Sequence, residues 1–115
     1  MTTVPTEHAE QVTLITEFEK RWPDLRILAI PNGGFRHKNT AKMLQAEGVR
    51  KGVPDLFVPA LNLWIELKRT KGGRVSPEQR DWIDYLNSIG HTAVVARGYL
   101  DALELIEQVI KEKSL

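Results

Sequence analysis

Asp55, Glu66 and Lys68 stand in or beside an apolar run, "VPDLFVPALNLWIELKR" (53–69), whose other residues suit the interior of a sheet. An ion buried there without a partner costs several kcal/mol or gives up its charge. Read as two strands, Leu56–Pro59 and Leu63–Arg69, with a turn centred on Ala60 and Leu61, the run makes an antiparallel hairpin. In that register Asp55 lies opposite Glu66, and facing residues bring their Cβ atoms to about 4.5–5.5 Å. Side chains alternate along a strand, so Glu66 and Lys68 share one face while Ile65 and Leu67 enter the core on the other. Two acids so placed repel unless a cation sits between them. Oxygen donors of this kind suit Mg²⁺, with Mn²⁺ as a substitute. Such an ion neutralises the acids, polarises a phosphoryl oxygen and lowers the pKa of a water. Lys68 is then placed to orient or deprotonate the attacking water, or to stabilise charge on the phosphorane. The register is an assumption: a slip by one residue separates the acids. The same spacing also fits a solvated Glu66–Lys68 ion pair, with Asp55 a turn residue after Pro54.

The elements that must position these groups are legible in outline. Thr6 caps a first helix, with Glu7 in its first turn, and Pro23 ends it. Its stripe Leu14, Ile15, Phe18, Trp22 extends backwards to Gln11 and Glu7, two polar groups either at the edge of the core or in a polar pocket at its rim. "RILAI" (26–30) reads as a strand and "PNGG" (31–34) as a turn. "HKNTAKMLQAEG" reads as a short helix with Asn39 or Thr40 near its cap and Gly48 closing it. After the hairpin, "TKGGRV" is a basic, glycine-rich loop. Ser76, Pro77 and Gln79 start the clearest helix as N-cap, N1 and N3 of a capping box. "TAVVA" (92–96) is a strand and "LDALELIEQVIKE" a final amphipathic helix. This order points to an α/β fold with a mixed sheet flanked by helices.

At 115 residues, 42% hydrophobic and 27% charged, the chain reads as one soluble domain, residues 1–115, able to build a core without staples. It has no cysteine, which excludes disulfides and thiolate metal sites and fits a reducing compartment. The polar N-terminus carries no signal peptide and no apolar run spans a bilayer, so the expectation is a cytoplasmic protein with no membrane partner. A net charge of +1 favours no partner, but its distribution does. Arg36, Lys38, Lys42, Arg50 and Lys51 face only Glu47 in their stretch, whereas Asp101, Glu104, Glu107 and Glu112 mark an acidic C-terminal segment. One basic side suits an anionic polymer, and it also suits a merely solvated surface. His8, His37 and His91 are scattered and form no zinc motif; His91 reads as structural.

"TEHAEQ", "AIPNGG", "AEGVRKGVPDLF", "WIELKR", "GGRVSPEQRDW" and "GHTAVVARG", in this order, resemble the virus-type replication-repair nuclease (VRR-NUC) domain of the PD-(D/E)XK nuclease superfamily. The resemblance covers nearly the whole chain and implies a restriction-endonuclease-like fold of order αβ(α)ββαβα. It implies Asp55 and Glu66 as metal ligands, the Leu67 carbonyl as a third, and Lys68 as the catalytic lysine. Glu7 matches the acid of the first helix, which in this superfamily often completes the metal site, sometimes through water. Gln79 matches a glutamine of the helix after the catalytic strand, although a capping-box role explains it equally. The tip "ALN" between the motif acids is shorter than in many relatives, and no DNA-binding or helicase module is appended, as in phage-type members.

Asn32 can hydrogen-bond substrate or a metal-bound water, or simply make a turn before Gly33. Arg36, Lys38, Lys42, Arg50 and Lys51 on one side, and Arg69, Lys71 and Arg74 in the glycine-rich loop, can hold phosphates. Phosphate contacts position DNA without reading sequence. The expectation is therefore a Mg²⁺-dependent DNA endonuclease acting on branched DNA such as four-way (Holliday) junctions, as a homodimer, in a host cytoplasm if phage-encoded and serving DNA repair. The alternatives are a repair- or restriction-type nuclease on duplex, flaps or ends, and a non-catalytic nucleic-acid-binding module.

Overall fold

Helix α1 (Glu7–Arg21) begins where the Thr6 hydroxyl accepts the Ala9 N–H at 3.0 Å. Its buried row is Glu10, Leu14, Phe18, one step round the helix from the expected row through Glu7 and Gln11. The row ends on an acid because the acid has a partner: Tyr99 N–H, at the start of the last helix, donates to Glu10 Oε1 at 3.1 Å. A carboxylate at a helix N-terminus is favoured both by the unpaired N–H groups and by the dipole. The computed structural model describes residues 3–31 and 38–115.

Strand β1 (Leu28–Ala29) is shorter than "RILAI", although Ile30 N–H continues the pairing by donating to the Asp55 carbonyl at 2.7 Å. Helix α2 (Lys38–Ala46) starts before Asn39 and Thr40, so neither is its cap; Gly48, at φ +102°, closes it as expected. Strands β2 (Leu56–Val58) and β3 (Leu63–Lys68) flank a single 3-10 turn, Pro59–Leu61, which Asn62 ends in the left-handed region at φ +51°. Helix α3 (Pro77–Ser88), strand β4 (Thr92–Arg97) and helix α4 (Tyr99–Glu112) complete the chain.

The sheet runs β1-β2-β3-β4, antiparallel except for the parallel β3–β4 pair that α3 connects. The hairpin takes the expected register: Leu56 faces Ile65, Phe57 faces Trp64 and Val58 faces Leu63. One face of the sheet (Leu56, Val58, Leu63, Ile65, Leu67, Ala96) packs with Leu14 and Phe18 of α1 and Leu103 and Ile106 of α4. The other carries a smaller cluster, in which Ile83 and Leu86 of α3 meet Ala93, Trp64 and Val95. By alternation Glu66 and Lys68 lie on this second face. Asn87 closes the free edge of β4 by bonding both the N–H and the carbonyl of Ala93, at 2.9 and 3.0 Å, which blunts strand addition there.

The junction of β4 with α4 is a tight backbone constraint near the charged residues. Gly98 sits at φ +89° and donates to the Lys68 carbonyl at 2.8 Å; a Cβ on it would lie 2.6 Å from Thr70 Cγ2 and 3.2 Å from Glu10 Oε2. Gly98→Ala therefore combines strain with overlap and is expected to cost about 3 kcal/mol. Gly72→Ala, at φ +87° with open space around it, is expected to cost only about 1 kcal/mol. Urea denaturation of both variants checks the difference.

Candidate active site

Asp55 follows Pro54 just before β2, and its backbone is tied to β1 through Ile30. Its Oδ2 accepts the Leu67 N–H at 3.0 Å. Continued by two pairs, through Asp55 opposite Glu66, the β2–β3 register sets Leu67 opposite Pro54, which has no N–H to return. The ladder therefore supplies the Leu67 carbonyl with no donor from Pro54, and the acid takes up the N–H. Leu67 N–H and C=O point to the same side of the strand, so that carbonyl lies on the side of Asp55.

Glu66 is 1% exposed and Lys68 6%. Gln79 Nε2 donates to Glu66 Oε2 at 3.1 Å, and Lys68 Nζ approaches the same oxygen at 3.5 Å. Among the described residues Glu66 Oε1, also buried, has no hydrogen-bond partner. Burial first, then the negative charge of Asp55 beside it, push the Glu66 carboxyl from 4.5 to about 8, against the opposing pull of Lys68. Two acids side by side in a dry site thus hold a proton where a cation is lacking.

That proton has a consequence for stability. The folded protein retains it up to about pH 8, whereas the unfolded carboxyl loses it near 4.5. The stabilisation is complete below the unfolded value and is lost as pH rises through the folded one. The melting temperature in EDTA is therefore expected to fall between about pH 5 and pH 8, and a divalent ion that takes the proton's place should flatten the slope. Thermal melts with and without Mg²⁺ across that window check it.

The remaining residues divide. Of the expected metal set Glu7, Asp55, Glu66 and Leu67, the fold brings the last three together. Among the described residues no group of three or more His, Cys, Asp or Glu side chains comes together as a metal cage, so Glu7 does not join the pair directly. Glu7 is exposed and lies nearby: a Cβ on Gly73 would be 3.6 Å from Glu7 Oε2 and 3.3 Å from the Lys68 stem. Gln79 makes the expected capping box with Ser76, and its side chain also reaches Glu66. Asn32 and Arg36 lie outside the described residues, as does the side chain of Lys38.

Lys42, Lys71 and Arg74 are exposed. Arg50, also exposed, donates to the Gln45 carbonyl at 2.7 Å, and Lys51 pairs with Glu78 at 3.1 Å. Arg69 is redirected. It alternates with Lys68, so it leaves the face that carries the acids, and its Nη2 binds the Val4 carbonyl at 3.2 Å. It ties down the segment before α1 rather than standing free for phosphate. His91 is structural as expected, its Nδ1 accepting from Trp64 Nε1 at 3.1 Å.

Two residues escape motif reading. Glu10 braces the start of α4 behind the Lys68 carbonyl. Arg97 pairs with Lys68 across the parallel strands, on the same face, and donates from Nη1 to the Gly73 carbonyl at 2.9 Å. It straps the glycine-rich loop against the Lys68 stem and adds a positive charge at the site. Register, not motif, is the signal for Arg97; the backward extension of Leu14 and Phe18 by four residues is the signal for Glu10.

Residues 6–100 match the model of the VRR-NUC domain family. A solved structure of a VRR_NUC domain protein superposes with a TM-score of 0.79 at 25% identity, covering 95% of this chain and 91% of that one. No curated protein matches the chain significantly. With a charged pair, a lysine and a glutamine gathered on one face of a mixed sheet of matching topology, the chain belongs to the VRR-NUC family, nucleases of the PD-(D/E)XK type.

Proposed function

We propose that the protein is a Mg²⁺-dependent endodeoxyribonuclease, with Mn²⁺ able to substitute, that hydrolyses phosphodiester bonds in branched DNA such as four-way junctions. The observation that carries this reading is the Asp55–Glu66 pair beside Lys68, with a buried Glu66 oxygen that no described residue satisfies. The donor set fits the ion: carboxylates from Asp55 and Glu66, and the Leu67 carbonyl, are hard oxygen ligands. A divalent ion bound there supplies neutralising charge, polarisation of the phosphoryl oxygen and a water of lowered pKa.

The protein's own groups do the rest. Lys68, held 3.5 Å from Glu66 Oε2, keeps a positive charge where negative charge develops on the phosphoryl group. Gln79 fixes the plane of the Glu66 carboxylate. Lys71, Arg74 and Arg97 on one side of the acids, and Lys42, Arg50 and Lys51 in the basic stretch, hold phosphates and so position the strand. Nothing in these contacts reads bases, which favours recognition of DNA shape. The reading includes a homodimer that sets two sites on one DNA molecule. It takes residues 1–115 as one nuclease domain, acting on DNA in the cytoplasm. Among the described residues no helix is long and apolar enough to cross a membrane.

Purified protein incubated with labelled four-way junction, flap and linear duplex, in Mg²⁺ or EDTA, tests the reading. Cleavage of the junction in Mg²⁺ alone supports it. Equal cleavage of all three moves the protein to a general repair- or restriction-type nuclease, and binding without cleavage makes it a non-catalytic module. Sedimentation that shows only monomer at micromolar concentration, with and without DNA, removes the dimer.

A further inference from the structure

The start of α3 does two things at once. Ser76 is its N-cap, with the hydroxyl accepting Gln79 N–H at 3.1 Å, and Ser76 N–H donates back to Gln79 Oε1 at 2.8 Å. A peptide N–H can only donate, so the amide of Gln79 must turn its oxygen toward Ser76. The amide nitrogen, at the other end, then faces Glu66 Oε2 at 3.1 Å. The turn is itself fixed from the other side. Gly52, two residues before Pro54, packs so closely on α3 that a Cβ there would lie 2.6 Å from the Glu78 carbonyl carbon, and Lys51 pairs with Glu78 at 3.1 Å. The loop that carries Asp55 and the helix turn that carries Gln79 are thus held against each other.

We infer that the Ser76–Gln79 capping box is a positioning device for the metal pair: the Ser76 N–H locks the Gln79 amide so that its nitrogen, with Lys68, occupies Glu66 Oε2 and leaves Oε1 as the oxygen for the cation. Ser76 acts only through Gln79, and Gln79 only through Glu66. The two Glu66 oxygens divide the work, one anchored to the protein and one without a partner among the described residues. A carboxylate fixed in this way presents a single oxygen in a set orientation, whereas a free one turns about its last torsion and offers either oxygen. The inference rests on the metal-dependent reading above.

Substitutions at Ser76 separate this role from ordinary capping. Ser76 has φ −73°, within the proline range of about −65 ± 15°. Ser76→Pro therefore keeps the chain path while removing both hydroxyl and N–H. Ser76→Ala removes the hydroxyl but keeps the N–H that orients the amide. Titration calorimetry with Mn²⁺ is the readout, alongside thermal melts in EDTA. The expected result is a loss of Mn²⁺ affinity of about tenfold or more in Ser76→Pro and in Gln79→Ala, the usual scale for an outer partner of a metal ligand. Ser76→Ala should melt lower, as any lost cap does, yet bind Mn²⁺ within about threefold of wild type. The double variant Ser76→Pro/Gln79→Ala should bind no worse than Gln79→Ala, because the two residues act in series. Equal Mn²⁺ affinity in wild type and Gln79→Ala overturns the inference even if Ser76→Pro does not fold; so does a loss that follows melting temperature alone across the Ser76 variants. Wild-type protein that binds no Mn²⁺ overturns the metal-dependent reading and the inference with it.

Discussion

Glu66→Gln should stabilise the metal-free protein and abolish cleavage, two effects of opposite sign from one atom. In the folded protein the Glu66 carboxyl is nearly fully buried beside Asp55, and its ionised form is disfavoured up to about pH 8. Glutamine has the same shape, carries no charge, can accept from Gln79 and can donate to Asp55. At pH 8 the substitution removes a buried like-charge contact and is expected to add about 1–3 kcal/mol, read as a melting temperature several degrees higher in EDTA. The same change removes an anionic oxygen from the site. Cleavage in Mg²⁺ should fall by at least about 10³-fold, comparable with losing a principal electrostatic contact in other enzymes. A variant both less stable and still active would mean that Glu66 is an ordinary structural acid. Functional sites commonly carry such destabilising groups.

Lys68→Met should cut the rate while sparing the grip on DNA. The ammonium lies 3.5 Å from Glu66 Oε2 with its side chain 8% exposed, and its stem lies beneath Gly73, so methionine can follow the same path. The charge, not the packing, is what the variant loses. A group that stabilises charge only as the reaction proceeds lowers kcat on removal, and the expected loss is about 10²–10⁴-fold. DNA affinity in EDTA, where the metal-dependent reading allows no turnover, should change less than about threefold. If affinity collapses together with rate, Lys68 is a phosphate anchor like Lys71 or Arg74 rather than a catalytic group. Arg97→Ala offers the contrast, since its loss should weaken binding and loosen the glycine-rich loop more than it slows chemistry.

The hairpin was readable because apolar residues on both strands and a turn too short to slip allow one register, and that register alone brings Asp55 to Glu66. The start of α3 was readable too, since Ser, Pro and Gln at N-cap, N1 and N3 are local chemistry. What escaped depends on distance along the chain. Glu10 is buried for the sake of Tyr99, 89 residues later; the step of four back from Phe18 and Leu14 reaches it, but no local residue shows what an acid there would bind until α4 is in place. Arg97 becomes part of the site only through the parallel pairing of β4 with β3. Arg69 was open to correction from sequence alone, because strand alternation already sends it to the face opposite Lys68. Capping and contact with the site do not compete in Gln79, since one end of its amide bonds Ser76 and the other Glu66.

Diffraction from crystals grown with Mn²⁺, collected at the manganese absorption edge, tests the central claim most directly. An anomalous peak between Asp55 and Glu66, within about 2.0–2.3 Å of a carboxylate oxygen of each and absent in Glu66→Gln crystals, is the expected result. A peak elsewhere, or none in protein that cleaves DNA in the same Mn²⁺ solution, contradicts it.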